Sequence, residues 1–392
     1  MRRATMLLAG VLIAGNAWNA AAAEKLRIGF IGTFAGPGGV LGDHMKKGVG
    51  IALDHLGSKV GGLTTDIIYR DDHIKPDVGL QVATNLVERE KVHFVSGVIW
   101  SHVMLAVAPY VARNGVLMVG AVGGPARLAG AACMRNVFVV SNQTAQGGEA
   151  MGNYLAKKGA SNVYLMAPGY AAGRDILGGF KRRFKGKIVA EKYTKIGQMD
   201  FQAELSQVRA AKPKAVVVFY PGAMGIRFVT QYAQIGLREK VPLYSIYTVD
   251  HITLPAQRDA ALGNHDISFW NHDLPNPRNR RFVKDFTKKY GHLPSLYAAT
   301  SYDAIMMINH AVRSVKGNLK NRAGMIAAME KAKAADFGSL RESFSFNTNH
   351  FPIQDFYVLR MVKGDGGKIV PKTVGVATKA AKDSFYKECK MK

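Results

Sequence analysis

Predicted strands and helices alternate along this chain in two successive series, and this order constrains the fold more than any other feature of the sequence. The first series occupies residues 26–119 and the second occupies 137–247. The predicted strand at 215–219 is continuously apolar, as is typical of a strand buried on both faces of a parallel sheet. Repeated β-α-β order produces parallel strands with helices on both faces. The sequence therefore predicts an α/β fold with two doubly wound parallel sheets.

The hydrophobic patterns also predict where each element lies. The predicted strands are 26–30, 66–69, 92–96, 116–119, 137–140, 163–167, 188–192, 215–219, 243–247 and 355–362. The predicted helices are 43–56, 76–89, one after Ser101, 144–158, 172–184, 201–211, 223–235, 279–290, 296–315 and 321–332.

The alternation breaks after about residue 270, where Pro275 and Pro277 interrupt the pattern. Three helices and one late strand are too few for a third compact domain, so we expect them to return and cover the two sheets. This predicts two lobes with a cleft between them. The expected boundaries are 24–141 plus 272–351 for lobe 1, 142–271 plus 352–372 for lobe 2, and a polar tail at 373–392. We expect hinges near Asn142, Asn271 and Phe351.

The N-terminus has the pattern of a secretory signal. Arg2 and Arg3 precede an apolar stretch at 6–14 and small residues at 20–23, which predicts a signal peptide at 1–23 and a periplasmic protein. The chain is strongly basic, with 53 Lys and Arg against 28 Asp and Glu. Such a charge is typical of nucleic-acid-binding proteins, but an exported protein rarely meets nucleic acid. We therefore expect no nucleic-acid partner.

Familiar catalytic motifs are missing from the sequence. It contains no Walker A loop, no His-Glu-x-x-His and no Gly-x-Ser-x-Gly elbow. The glycines Gly29, Gly32 and Gly36 lack dinucleotide-loop spacing, and the 11 histidines are scattered. The sequence therefore predicts a binding protein that is not an enzyme and has neither metal nor cofactor.

The carboxyl ends of the predicted strands carry hydroxyls, glycines and aromatic rings, and ligands of open α/β sheets bind at these ends. Glycine N–H groups beside a helix N-terminus favour a carboxylate. Ser101 precedes an apolar helix, so it can also act as an N-cap. The residues at these ends are Thr33, Phe34, Trp100, Ser101, His102, Val122, Gly123, Gly124, Gly169, Tyr170, Tyr220, Pro221, Gly222, Tyr247 and Thr248.

Several motifs in order resemble the type I periplasmic binding proteins of the leucine/isoleucine/valine-binding branch, which feed ABC importers. The motifs are Lys25-Leu26-Arg27-Ile28-Gly29-Phe30, Ala35-Gly36-Pro37, Gly42-Asp43, Arg70-Asp71-Asp72, 83–87, Gly97, 115–118 and 297–302. The resemblance implies two lobes joined by three crossovers, closing on a ligand like a hinge. It also implies a monomer whose partners are the membrane permease subunits of an importer.

The resemblance implies a site in which Ser101 holds the ligand together with the loop of Val122, Gly123 and Gly124, which here lacks a hydroxyl. Tyr170 lies two residues from the family's covering aromatic, at the region of Ala172. Tyr220 matches another aromatic position.

The resemblance also implies that Tyr247 occupies the position at which the family has an acidic residue that binds the ammonium group of an amino acid. We therefore predict a small aromatic or apolar carboxylate as ligand. Its carboxylate would be bound by Ser101 and by the N–H groups of Gly123 and Gly124. Its ring would lie among Phe34, Trp100, Tyr170, Tyr220 and Tyr247, with His102 able to bond a phenol.

Two alternatives stay open. Asp250 could replace the missing acid, and the ligand would then be a branched-chain amino acid. The chain could instead be a ligand-sensing regulator of the same fold. Independently, export and an even cysteine count predict a disulfide between Cys133 and Cys389.

Overall fold

The computed structural model describes residues 25–391, so the signal peptide predicted at 1–23 lies outside the described residues. The strands are β1 Leu26–Gly32, β2 Lys59–Val60, β3 Leu63–Asp71, β4 Phe94–Gly97, β5 Leu117–Gly120, β6 Val137–Val139, β7 Asn162–Pro168, β8 Lys187–Thr194, β9 Val216–Val218, β10 Leu243–Ile246, β11 His265–Ser268, β12 Phe344–Phe346, β13 Pro352–Lys363 and β14 Ile369–Ala381. The α-helices are α1 Gly39–His55, α2 Pro76–Glu88, α3 Ser101–Arg113, α4 Ala126–Ala129, α5 Ala145–Lys157, α6 Ala171–Arg183, α7 Gln202–Ala211, α8 Ala223–Gln234, α9 Leu254–Gln257, α10 Pro277–Tyr290, α11 Leu296–Ser314, α12 Arg322–Lys331 and α13 Ala334–Phe337.

The first sheet has six strands in the order β2-β3-β1-β4-β5-β6. All its pairs are parallel except β2 with β3, which form an antiparallel hairpin. Helix α1 packs on α11, and α2 packs on α3. The late helices thus return to lobe 1, as the sequence predicts.

The second sheet has eight strands in the order β12-β13-β11-β10-β9-β7-β8, with β14 paired to β13. The strands from β11 to β8 pair in parallel, whereas β12, β13 and β14 are antiparallel additions. Together the two sheets form the type I periplasmic binding protein architecture, in which the carboxyl ends of both sets of parallel strands face one cleft.

The apolar core crosses from one sheet to the other. One buried cluster joins residues of lobe 1, such as Phe30 and Met118, to residues of lobe 2, such as Leu165 and Phe180. A second cluster, including Phe201 and Phe228, belongs to lobe 2 alone. Continuous packing of this kind fixes the relative position of the lobes in this state.

The expected boundaries need correction near the C-terminus. Strand β12 already pairs with β13 in the second sheet, so the third crossover begins before 351. Residues 373–381 are not a tail, because they form most of β14 and pair with β13. Strand β11 and the hairpin strand β2 were not predicted. Both are short, and β11 carries the polar residues His265 and Asp266 within its four positions.

The C-terminal segment is linked covalently to lobe 1. Cys133 and Cys389 form a disulfide with their Cα atoms 5.6 Å apart. Within residues 25–391, no helix combines the length and hydropathy required of a membrane span.

Candidate functional site

A cleft lies between the lobes at the carboxyl ends of their parallel strands. Both lobes supply its walls, and helix α11 contributes its first turn. The lining residues are Ile99, Trp100, Ser101, Val122, Gly123, Ser141, Asn142, Thr144, Tyr170, Ala172, Ile176, Phe219, Pro221, Tyr247, Phe269, Leu296, Tyr297 and Thr300. Ser101 and Gly123 from lobe 1 therefore line the same cleft as Tyr170 and Tyr247 from lobe 2.

A chain of buried hydrogen bonds fixes the indole of Trp100 in the lobe 1 wall. Its Nε1 donates to Thr33 Oγ1 at 2.8 Å, and that hydroxyl donates to Asp72 Oδ1 at 2.5 Å. Burial raises the pKa of Asp72, while the bond from Thr33 opposes that change. Trp100 immediately precedes α3, so its fixed position also fixes the start of that helix.

Two hydroxyls and a helix N-terminus form the polar end of the cleft. Ser101 is the first residue of α3, and its Oγ lies 3.4 Å from Thr144 Oγ1 at the start of α5. The first N–H groups of a helix have no intrahelical acceptor and carry partial positive charge. This end of the cleft can therefore accept a carboxylate.

The glycine loop contributes less than the sequence predicted. Gly123 lines the cleft, but its N–H donates to Val98 O at 2.8 Å and is already engaged. Gly124 does not line the cleft, and a Cβ at this position would lie 2.0 Å from Asn142 O. This close approach explains why position 124 carries no hydroxyl side chain.

Aromatic rings line much of the rest of the cleft, beside aliphatic residues such as Ile99 and Ile176, and two of them meet across it. Tyr170 of lobe 2 approaches Trp100 of lobe 1 edge-on, with ring centroids 6.0 Å apart. Phe219 lies 6.3 Å from Tyr170, and Tyr247 lies 6.0 Å from Phe269. Rings at these distances and angles have the geometry of favourable aromatic pairs. A flat aromatic ligand would find faces and edges on both lobes.

Tyr247 has an unusual backbone and an unpaired hydroxyl. Its φ is +52°, a left-handed conformation that bulky residues rarely adopt. Its N–H donates to Asp266 Oδ2 at 3.2 Å. Its hydroxyl is buried and has no hydrogen-bond partner in the described structure. Gly147 of α5 leaves room for that hydroxyl, since a Cβ there would lie 2.8 Å from it.

A smaller cavity lies behind Tyr247 and contains two buried carboxyl groups. Asp250 and Asp266 line this cavity, as do Tyr247 and Leu296, which also line the main cleft. Burial raises the pKa of Asp250 to about 6 and that of Asp266 to about 7, against the opposing effect of their hydrogen bonds. Asp250 is therefore close to the cleft but is not part of its wall.

Three other predicted residues also lie outside the lining of the cleft. Phe34 packs on Tyr69, with Lys46 Nζ 3.9 Å from its ring centroid. His102 of lobe 1 packs edge-on against Tyr170, with ring centroids 5.2 Å apart, and its Nε2 is 2.9 Å from Ile74 O. Tyr220 is buried in lobe 2 beneath the cleft, where its hydroxyl accepts a bond from Thr194 at 3.2 Å. Their positions after strands were predicted correctly, but side-chain direction was not.

Several residues of the cleft were not predicted from the sequence. Thr144 follows a predicted strand and Phe219 ends one, so their positions could have been found from the strand ends. Phe269 follows β11, which was not predicted. Tyr297 and Thr300 come from α11, which is distant along the chain, and no strand-end signal points to them.

The polar groups of the cleft are uncharged. Of the described residues, those that line it include no Asp, Glu, Lys, Arg or His side chain. Within 25–391, no group of three or more His, Cys, Asp or Glu residues has the arrangement of a metal site. The polar contacts available in the cleft are therefore hydroxyls, amides and a helix N-terminus.

Comparison with known proteins agrees with this architecture. The sequence profile of a family described as periplasmic binding protein matches residues 25–368. The Leu/Ile/Val-binding protein homolog 6 of Brucella melitensis biotype 1 is 25% identical over 379 residues, which cover 94% of this chain and 95% of the relative.

Two solved structures extend the match. A solute-binding protein of an ABC transporter from R. palustris, in complex with benzoate, is 28% identical with a TM-score of 0.86, covering 94% of this chain and 100% of the other. A second, from Rhodopseudomonas palustris BisB5 in complex with 3,4-dihydroxy benzoic acid, is 25% identical with a TM-score of 0.84, covering 92% and 99%. These relatives are solute-binding proteins and not enzymes. The chain therefore belongs to the periplasmic binding protein family, and within it to the Leu/Ile/Val-binding branch of ABC transporter solute-binding proteins.

Proposed function

We propose that this protein binds a small aromatic carboxylate of the benzoate type in the periplasm and delivers it, as a monomer, to the permease subunits of an ABC importer. The observation that carries the proposal is the composition of the cleft, whose walls are rich in aromatic rings and whose polar groups are uncharged. Ser101 and the N-terminus of α3 would hold the carboxylate. Trp100, Tyr170 and Phe219 would surround the ring.

The absence of an acid from the described cleft lining argues against an amino acid. An α-amino acid carries an ammonium as well as a carboxylate, and burying an ion without a counter-charge costs several kcal/mol. A benzoate-type acid has only the negative charge, which the helix N-terminus and the hydroxyls suit. The ligands of the two R. palustris proteins, benzoate and 3,4-dihydroxy benzoic acid, support this choice.

A branched-chain amino acid is the second candidate. The name of the Brucella relative favours it, and so does the buried carboxyl of Asp250 close to the cleft. For this candidate the ammonium would have to reach Asp250 past Tyr247.

Calorimetry with the mature protein would distinguish the two candidates. We expect benzoate and cinnamate to bind at least 100-fold more tightly than leucine or valine. Cyclohexanecarboxylate keeps the charge without the π face, and benzamide keeps the ring without the charge, so both should bind more weakly than benzoate. Tight leucine binding that is lost in Asp250→Ala, with no response to aromatic acids, would overturn the proposal.

A further inference from the structure

Tyr247 lines two neighbouring chambers of different chemistry. On one side is the aromatic cleft, whose described lining carries no acidic side chain. On the other is the smaller cavity with the carboxyl groups of Asp250 and Asp266. Among residues 25–391, Tyr247 and Leu296 alone line both chambers. Of these two, Tyr247 belongs to the same segment of lobe 2 as Asp250.

The two carboxyl groups are held in place by the protein without any cation. Asp250 Oδ1 accepts the N–H groups of Ile252 at 2.9 Å and Thr253 at 3.0 Å. Asp266 accepts the hydroxyl of Ser245 and the N–H of Tyr247. No Lys or Arg of the described chain forms an ion pair with either carboxyl. A cationic group reaching this cavity would therefore meet uncompensated acidic groups.

The conformation of Tyr247 places two constraints on this position, one on the backbone and one on the space for the ring. The left-handed φ would be free of strain in glycine, whereas in tyrosine it is strained. The ring also requires a glycine opposite it, because a Cβ at Gly147 would lie 2.8 Å from the hydroxyl. The residue lines both chambers, and its buried hydroxyl makes no hydrogen bond in the described structure. Its contribution here is steric.

We propose that Tyr247 is a specificity-determining residue that separates the aromatic cleft from Asp250 and Asp266 and thereby excludes α-amino acids. The inference rests on the proposed function, since it explains why a cleft so close to two carboxyl groups binds acids that lack an ammonium. Removing the ring would join the chambers. The ammonium of an amino acid could then approach the carboxyl groups while its carboxylate stays at Ser101.

The experiment compares two ligands that differ only in the ammonium, L-phenylalanine and 3-phenylpropionate. Calorimetry gives the ratio of their affinities for the wild type, Tyr247→Gly and Tyr247→Phe. In Tyr247→Gly we expect the ratio to shift toward phenylalanine by at least 10-fold. In Tyr247→Phe, which keeps the ring and loses the hydroxyl, we expect the wild-type ratio. Replacing both carboxyl groups in Tyr247→Gly/Asp250→Asn/Asp266→Asn should abolish the shift.

Folding is checked by circular dichroism, and Tyr247→Asn, which also tolerates a left-handed backbone, replaces the glycine variant if that variant does not fold. An unchanged ratio in the folded variant, or a shift that survives loss of both carboxyl groups, would overturn this inference. Failure of the wild type to bind benzoate would instead overturn the aromatic-acid function, so the two failures are distinguishable.

Discussion

The backbone N–H of Ala126 donates to Asp175 Oδ2 over 2.8 Å, and this bond connects the two lobes. Ala126 begins α4 in lobe 1, and Asp175 lies in α6 of lobe 2. Burial raises the pKa of Asp175, and the bond from Ala126 opposes that change. The bond can form only while the lobes are together, so it stabilises the closed state relative to an open one.

Asp175→Ala should therefore weaken ligand binding without changing the cleft. A hydrogen bond to a charged group contributes about 1.5–3 kcal/mol, so we expect benzoate affinity to fall by about 10-fold or more. Asp175→Asn keeps an acceptor oxygen and serves as the matched control, with a smaller loss. Calorimetry measures the affinity, and small-angle scattering measures lobe opening. Equal affinities for all three proteins would show that the bond does not contribute to closure.

Ser101→Ala should reduce the affinity for an aromatic carboxylate by about 10-fold, since a hydrogen bond to a charged group is lost. Ser141→Ala is the control on the same cleft, because the Ser141 hydroxyl already donates to Val122 O at 2.7 Å. We expect Ser141→Ala to lower the melting temperature and to leave the affinity for the carboxylate nearly unchanged. If calorimetry showed a loss of affinity in Ser141→Ala but none in Ser101→Ala, Ser101 would not be a ligand of the carboxylate.

Acid pH should destabilise the protein through histidines where the lobes meet. The His44 and His292 ring centroids lie 4.9 Å apart in lobe 1, and His251 Nε2 lies 3.0 Å from His272 Nδ1. Burial, followed by the charges of His292 and Lys47, lowers the pKa of His44 to about 3, although Asp43 opposes the change. Burial also lowers the pKa of His251 and of His272.

Proton uptake by the unfolded chain determines the direction in which stability changes with pH. Between pH 6.5 and about 3 the unfolded chain binds a proton at position 44 that the folded chain does not, so stability is lost as pH falls through this window. The raised pKa values of Asp250 and Asp266 act in the opposite direction, so the measurement must compare variants. From pH 7.5 to 5, urea unfolding should show a loss about 2 kcal/mol smaller in His44→Gln than in the wild type. Identical losses would contradict a neutral His44.

Loss of the disulfide should reduce stability and leave binding intact. Cys133 and Cys389 are separated by 256 residues in sequence, and a bond that closes so long a loop restricts the unfolded chain strongly. We expect Cys133→Ser/Cys389→Ser to lose about 2–4 kcal/mol of unfolding free energy. Neither cysteine lines the cleft, so benzoate affinity should stay within a factor of two. A large loss of affinity would mean that the C-terminal segment helps to form the site.

Much of the fold could be predicted because local hydrophobic patterns indicate most of its helices and strands. The continuous apolar run at 215–219 became the buried strand β9, and the pattern at 76–89 became α2 with Pro76 at its first position. The antiparallel strand β14 was missed because its pattern is mixed. Val374 and Val376 are exposed on it, and its pairing with β13 depends on a partner rather than on its own sequence.

Part of the candidate site could likewise be predicted from local sequence, and part could not. The sequence alone determined that hydroxyls and aromatic rings follow the parallel strands, because those residues and strand ends are local features. Only the tertiary structure decided which of them line the cleft. Tyr220 is buried in the core of lobe 2, and the N–H of Gly123 donates to a backbone carbonyl and not to the cleft. Helix α11 packs against the cleft and contributes Tyr297, whereas Asp250 lines the neighbouring cavity instead of the cleft. The direction of a side chain depends on contacts between segments far apart in the chain, and no local pattern contains those contacts.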